Sequence, residues 1–171
     1  MARGKIVCFY GGKGGVGKTT TLLSLAGTLS KLNKKVLIVD LDLTNGAIAI
    51  SLNREANKTI FNFVEDYINN KYNDLDKYIT KYDENISFVA SPKDPRYASR
   101  IDVKYIDILL EKSVYNYDVV LIDTPSILNE ISVYSLDKSD VVYLLTTHDC
   151  VSLKNIKNLV NLFIENNLDK Y

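Results

Sequence analysis

The chain has 171 residues, of which 46% are hydrophobic, and this is enough for one compact domain with an ordinary core. Twenty-one Lys and Arg residues balance twenty-one Asp and Glu residues, so the net charge does not favour a nucleic acid or an anionic membrane as partner. The sequence contains neither an apolar run of about 18 residues nor a signal-peptide pattern at its start. We therefore expect a cytoplasmic protein with no integral membrane segment, whose two cysteines are reduced thiols.

Short β-branched runs alternate with longer segments of helical period, which is typical of an α/β three-layer sandwich: a mostly parallel, twisted sheet with helices on both faces. The predicted buried strands are Ile6–Tyr10, Val36–Asp40, Ile86–Ala90, Val119–Asp123 and Val141–Thr147. Helices are predicted over Thr19–Leu32, Ile60–Ile68 and Val103–Val114. We expect the polar segment 69–85 to form a surface helix and loops.

The last predicted helix is amphipathic. Apolar residues recur in it at spacings of three and four, at Val151, Leu153, Ile156, Leu159, Val160 and Phe163. A crossover helix needs an apolar face to cover its sheet, so we expect this face to be core.

A glycine-rich loop separates the first predicted strand from the first predicted helix. Its sequence, Gly12-Lys13-Gly14-Gly15-Val16-Gly17-Lys18-Thr19, matches the eight-residue pattern of a phosphate-binding loop. Glycines allow backbone N–H groups to approach phosphate oxygens closely, and the following helix N-terminus adds partial positive charge. In this pattern Lys18 bridges the β- and γ-phosphates, Thr19 binds Mg²⁺ and Thr20 lies over the α-phosphate. The loop therefore predicts a site for ATP or ADP with Mg²⁺.

Carboxylates follow two of the predicted strands, at the sheet edge where the phosphate loop opens. Asp40 and Asp42 lie in VLIVDLD, and Asp123 ends the apolar run of VVLIDTP. One aspartate beyond the γ-phosphate can orient the attacking water, while others support Mg²⁺ through water. Asp123 has the form of a Walker B carboxylate at the metal. The alternative is that these strand-end aspartates only cap turns or helices.

The segment KGGVGKT, from Lys13 to Thr19, resembles the deviant Walker A signature of the MinD/ParA ATPases, relatives of the nitrogenase iron protein. In that family the early lysine reaches across a dimer interface to the partner's nucleotide, and the resemblance gives Lys13 this role. It also gives Asp42 the water-positioning role and leaves Asp40 as support for Mg²⁺. The resemblance implies a P-loop NTPase fold and an ATP-dependent homodimer that hydrolyses ATP slowly, with Lys13, Lys18 and Asp42 as catalytic residues.

Looser similarities concern the branch of this family. The run Phe88–Pro92 with Asp94 and Pro95, and the stretch from Ile127 to Asn155, look like the CpaE/TadZ branch, whose members help place Flp/Tad pilus assembly machinery at a cell pole. This implies a protein partner from a localisation or assembly system, and recruitment to a pole or membrane by that partner. The family usually continues with further strands, so we expect residues 1–171 to form a single ATPase domain without them.

Three alternatives stay open. A ParA-type DNA-partitioning ATPase is the nearest, although its nonspecific DNA binding needs a basic surface that the neutral charge does not indicate. A bacterial tyrosine kinase shares the Walker motifs, but the tyrosines here are scattered from Tyr10 to Tyr171. A nucleotide-loaded scaffold would bind ATP without turnover.

A metal site at His148, the only histidine, is not favoured because no Cys or His stands at ligand spacing. We expect Asp149 or Ser152 in the same turn to cap the last helix.

Overall fold

The fold is a six-stranded sheet with helices on both faces, and the computed structural model describes residues 3–165. The strands are β1 (Lys5–Gly11), β2 (Val36–Asp40), β3 (Thr80–Lys81), β4 (Ile86–Val89), β5 (Val119–Asp123) and β6 (Val141–Leu145). Their order in the sheet is β3-β4-β2-β5-β1-β6. Every neighbouring pair is parallel except β3 and β4. The α/β prediction of a mostly parallel sheet is confirmed.

The helices are α1 (Lys18–Lys31), α2 (Ile48–Ser51), α3 (Ile60–Ile68), α4 (Val103–Ser113), α5 (Glu130–Lys138) and α6 (Cys150–Glu165), and two 3₁₀ segments cover Leu75–Tyr78 and Pro95–Arg100. Alternate residues of the central strands point to opposite faces, as strand geometry requires. Val36 and Ile38 pack with Leu22 of α1, while Leu37 and Val39 belong to the cluster that holds α3 and α4. Among the described residues, no helix has both the length and the apolar character needed to cross a membrane.

Side-chain caps fix the start of several helices. Thr59 forms a reciprocal capping box with Asn62 at the start of α3, and Asp102 accepts a hydrogen bond from the backbone N–H of Lys104 at the start of α4. Such caps satisfy N–H groups that have no partner within the helix. The predicted bounds of β2, β5 and α3 agree with the structure to the residue.

The strand β6 is not the buried strand that was predicted. It lies at the edge of the sheet beyond β1, and Val141 and Tyr143 are 43% and 45% exposed. The strand also ends at Leu145, two residues before the predicted limit. A continuous apolar run shows that a strand is apolar, but only its neighbours in the sheet decide whether both of its sides are covered.

The apolar face of α6 is core only in part. Leu159 is buried with Cys8 and Tyr10 of β1, and Ile156 and Phe163 pack against the same cluster. Val151, Leu153 and Val160 are exposed, which corrects the expectation that this face is core throughout. The physical reason is that α6 covers an edge strand, so fewer neighbours surround it than surround a central helix.

The segment 69–85 also differs from its prediction. It holds a 3₁₀ segment in which Leu75 and Tyr78 are buried, followed by the short strand β3. Tyr67, Tyr72 and Tyr78 surround Phe63 with ring centroids 5.4 to 5.7 Å away. Tyrosines that are scattered in the sequence therefore form a cluster in the fold, because Phe63 of α3 gives them a common apolar centre.

Candidate functional site

The glycine-rich loop forms an open cradle between β1 and α1. Gly15 and Gly17 have φ values of 76° and 92°, in the left-handed region that favours glycine. A Cβ added at Gly14, Gly15 or Gly17 would meet no non-adjacent atom of the described residues within 4 Å, so these residues leave the surface beside the loop open. No side chain within residues 3–165 caps the N-terminus of α1. The N–H groups of its first turn are therefore available to an anionic ligand, as phosphate binding requires.

Lys18 and Thr19 connect this loop to the end of β5. Lys18 is 8% exposed, and its ammonium donates a hydrogen bond to Ser126 Oγ at 2.7 Å. The Thr19 hydroxyl donates to Asp123 Oδ2 at 2.6 Å. Ser126 was not predicted from the sequence; it lies three residues beyond Asp123, in the turn that follows β5. The structure thus joins the phosphate loop and the turn after β5 in one site.

Asp40 and Asp123 are neighbours on adjacent strands, where they form the last register pair of β2 and β5. Both are buried, and Oδ1 of each has no hydrogen-bond partner among the described residues. Burial raises the pKa of Asp40 to about 7, and the nearby charge of Asp123 adds to the rise. Burial also raises the pKa of Asp123, while the bond from Thr19 and the charge of Lys18 oppose that rise. Orphaned buried carboxylate oxygens are costly unless a cation or water completes them.

These oxygens fit a magnesium site. Mg²⁺ prefers oxygen ligands and keeps several waters, so one or two carboxylates, a hydroxyl and phosphate oxygens suffice. Thr19 and Asp123 are in direct contact, and Asp40 lies beside Asp123 on the next strand. The residues predicted for the metal are therefore brought together at one edge of the sheet.

Asp42 lies two residues beyond β2 at the same edge. Its Oδ1 accepts hydrogen bonds from the backbone N–H of Asn45 at 3.1 Å and from the Thr44 hydroxyl at 3.4 Å. These bonds are those of an Asx-type turn cap. A turn cap and a water-positioning residue can be the same aspartate, because the second carboxylate oxygen is not used by the turn.

The remaining residues of the loop lie around its mouth. Thr20 is exposed on the first turn of α1, and Val16 is half-buried. A Cβ at Gly11 would clash with Val16 Cγ2, so Val16 packs closely over the end of β1. Lys13 is exposed, and its ammonium lies 3.4 Å from Asp149 Oδ2. Asp149 caps α6 by accepting from the backbone N–H of Ser152 at 3.0 Å, as expected from the sequence.

A parallel sheet with a glycine cradle between β1 and α1, a buried lysine after the cradle and aspartates at the ends of β2 and β5 defines a P-loop nucleotide-binding domain. Residues 4–169 match the AAA domain family (AAA_31), and the chain belongs to that family.

The chain is similar to MinD-type and other ATP-binding proteins. It is 30% identical over 148 residues to the ATP-binding protein MJ0169 of Methanocaldococcus jannaschii, covering 86% of this chain and 55% of that protein. It is 28% identical over 158 residues to the septum site-determining protein MinD of Helicobacter pylori, covering 92% and 58%. The chain thus spans slightly more than half the length of these curated relatives.

Solved structures share the fold. MinD from Pyrococcus horikoshii in complex with Mg-ADP superposes with a TM-score of 0.80 at 24% identity, covering 94% of this chain and 65% of that one. At this identity the likeness shows the fold alone, and it confirms the predicted P-loop NTPase architecture.

Replacing Asp40 by asparagine is expected to stabilise the metal-free, nucleotide-free protein at high pH. The folded pKa of Asp40, about 7, lies above the unfolded value near 3.9, so the folded state binds this proton more tightly. The associated stability is complete below about pH 4 and is lost as pH rises through 7. Denaturant unfolding at pH 8 should show Asp40→Asn on the order of 2 kcal/mol more stable than wild type, with a smaller difference at pH 5.

Asp102→Asn is the matched control, because Asp102 is an exposed helix cap and asparagine caps equally well. It should change stability little at either pH. Equal stabilities of Asp40→Asn and wild type at pH 8 would contradict the burial of an uncompensated charge at Asp40.

Proposed function

We propose that the chain is a Mg²⁺-dependent ATP-binding switch that hydrolyses ATP slowly and dimerises when ATP is bound. The observation that carries this proposal is the Thr19–Asp123 contact at 2.6 Å, which lies beside the orphaned carboxylate oxygens and the buried residue Lys18. An ammonium and a hydroxyl at the start of the helix after a glycine cradle, with a carboxylate from the end of a neighbouring strand, are the groups that ATP and Mg²⁺ require.

Different residues of the chain bind the phosphates and the metal. The loop N–H groups and Lys18 hold the phosphates, and Thr19 with Asp123 and Asp40 hold the metal. Bound Mg²⁺ would neutralise charge on the β- and γ-phosphates. Asp42, at the same edge of the sheet, aligns the attacking water. Loss of the γ-phosphate removes a ligand of Lys18, whose ammonium is bonded to Ser126. The turn that contains Ser126 is then free to change its conformation.

The surface around the loop supports a second copy as the partner of the ATP state. Ile50, Ile127 and Val151 follow β2, β5 and β6 on the loop side of the sheet, and they are 83%, 74% and 61% exposed. Exposed apolar residues grouped at one edge of a domain are typical of an interaction surface. Lys13 is exposed at the same edge, while the site of its own protomer already has Lys18. We assign Lys13 to the nucleotide of the second copy.

The cellular role proposed for the switch is to position machinery such as a pilus assembly system, as in the CpaE/TadZ branch. We assign this positioning role to a single ATPase domain over residues 1–171. Its partner is a protein of a localisation or assembly system, which recognises the dimer and releases it after hydrolysis.

Lys13→Ala tests the dimer. Light scattering should show a dimer of the wild-type chain with Mg·ATP and a monomer with ADP, whereas Lys13→Ala stays monomeric with both. Lys34→Ala removes the same charge from an exposed position after α1 and should behave as wild type. A wild-type monomer with Mg·ATP bound would contradict the dimer while leaving the nucleotide site intact.

Measuring phosphate release distinguishes ATP hydrolysis from ATP binding without hydrolysis. Slow release of phosphate from ATP supports the switch, and bound ATP without release would indicate a scaffold. Phosphotyrosine on the chain after incubation with ATP would instead favour a tyrosine kinase.

A further inference from the structure

The start of α6 is bonded to the first residues of the phosphate loop. The Asn155 side-chain amide donates to the Gly12 carbonyl at 2.7 Å. A Cβ at Gly12 would lie 2.6 Å from Asn155 Cβ, so a residue larger than glycine would force the loop and the helix apart. Six residues earlier in the chain, the Asp149 carboxylate lies 3.4 Å from the Lys13 ammonium. Two consecutive loop residues are thus contacted from α6 and its cap. Asn155 bonds to the backbone of Gly12, and Asp149 pairs with the side chain of Lys13.

The Asp149 carboxylate is held in position to accept a hydrogen bond from Lys13 by other bonds of its own segment. Its Oδ2 also accepts from the Thr147 hydroxyl at 2.5 Å, and its Oδ1 accepts from the Ser152 backbone N–H at 3.0 Å. These two bonds, with a smaller contribution from Lys13, lower the pKa of Asp149 to about 2. The carboxylate is therefore charged at neutral pH and is held in place by groups other than Lys13.

We propose that Asp149 is a positioning residue that holds Lys13 on its own protomer and releases it when two copies close around ATP. This inference rests on the proposed function, in which Lys13 reaches the nucleotide of the second copy. An ammonium that enters the site of another protomer moves away from the acceptor on its own chain. The cost of breaking the pair opposes dimer formation, so Asp149 raises the dissociation constant of the dimer.

Asp149→Asn tests the proposal because asparagine retains the helix cap while the charge is lost. The dissociation constant of the Mg·ATP dimer, measured by light scattering over a dilution series, should fall about threefold, since exposed ion pairs are weak. The affinity of the protomer for ADP should not change. In the Lys13→Ala background, which is expected to stay monomeric, the same substitution should not restore a dimer, because Asp149 acts through Lys13. Asp102→Asn makes the same chemical change at the cap of another helix, α4, and should leave the dimer unchanged.

The pair itself can be tested independently of the dimer. With ADP bound, the rate at which an acylating reagent modifies Lys13, followed by mass spectrometry, should rise about twofold in Asp149→Asn. Asp149→Glu should restore the slower rate. Equal rates in wild type and Asp149→Asn would overturn the proposal even for a chain that never dimerises. If the wild-type chain dimerises with Mg·ATP, an unchanged or weaker dimer in Asp149→Asn would overturn the role of Asp149. If the wild-type chain does not dimerise, that result counts against the proposed function.

Discussion

Lys18→Ala is expected to weaken the binding of Mg·ATP by at least about a hundredfold. A hydrogen bond from a charged group contributes about 1.5–3 kcal/mol, and Lys18 is placed to make such bonds to two phosphate groups. The Lys18 residue is already buried, at 8% exposure, and its ammonium is held by Ser126, so it needs little reorganisation when phosphate arrives. Isothermal titration with a slowly hydrolysed ATP analogue measures the loss.

Lys31→Ala is the matched control, because Lys31 is exposed in the last turn of the same helix. It removes an equal charge far from the loop, and its affinity for the analogue should equal that of wild type. If Lys18→Ala bound the analogue as tightly as Lys31→Ala, the glycine cradle would not be a site for triphosphate, and the proposed function would fall with it.

The pieces of the candidate nucleotide site could be located in the sequence because their signals are local. The loop, Lys18 and Thr19 are consecutive, and Asp40 and Asp123 each end a short apolar strand. In a parallel sheet such strand ends meet at one edge, so the sheet brings the pieces together without further information. The structure shows that Asp40 and Asp123 are adjacent in register, which spacing in the sequence alone did not establish.

The helix α5 was not predicted because its buried face is not apolar. Ser132 and Ser135 are buried with Leu136, and both serine hydroxyls donate to backbone carbonyls, at Ile127 and Ile131. Periodicity of hydrophobic residues therefore gives no signal there. The reciprocal capping box of Asn129 and Ser132 was the available signal, since a polar pair spaced by three marks a helix start.

Contacts between distant segments were also outside the reach of sequence reasoning. Asn155 and Asp149 bond to Gly12 and Lys13 from more than 130 positions away, and nothing in their local sequence points to the loop. The same limit explains β6 and α6. Their apolar periodicity was recognised, but the sheet order that leaves β6 at an edge depends on pairing with β1.

Asp42→Ala is expected to lower the rate of ATP hydrolysis by at least about a hundredfold while ATP affinity changes little. Positioned acid–base groups contribute about 10²–10⁴ in rate, and Asp42 has no direct role in holding phosphate or metal in the proposed site. Single-turnover hydrolysis by the chain and titration with the slowly hydrolysed analogue measure the two quantities separately. A rate equal to that of wild type would remove Asp42 from the mechanism.

Asp42→Asn distinguishes the two roles that this aspartate can have. Asparagine still accepts the Asn45 N–H, so it preserves the turn, but it lacks the charge that orients and polarises water. If Asp42 positions water, Asp42→Asn should hydrolyse ATP as slowly as Asp42→Ala. If it is only a turn cap, Asp42→Asn should be nearly as active as wild type. Asp83→Ala is the control, since Asp83 caps the turn before β4 by accepting the backbone N–H groups of Asn85 and Ile86. Its loss should lower stability and leave hydrolysis intact, which separates a damaged turn from a missing catalytic group.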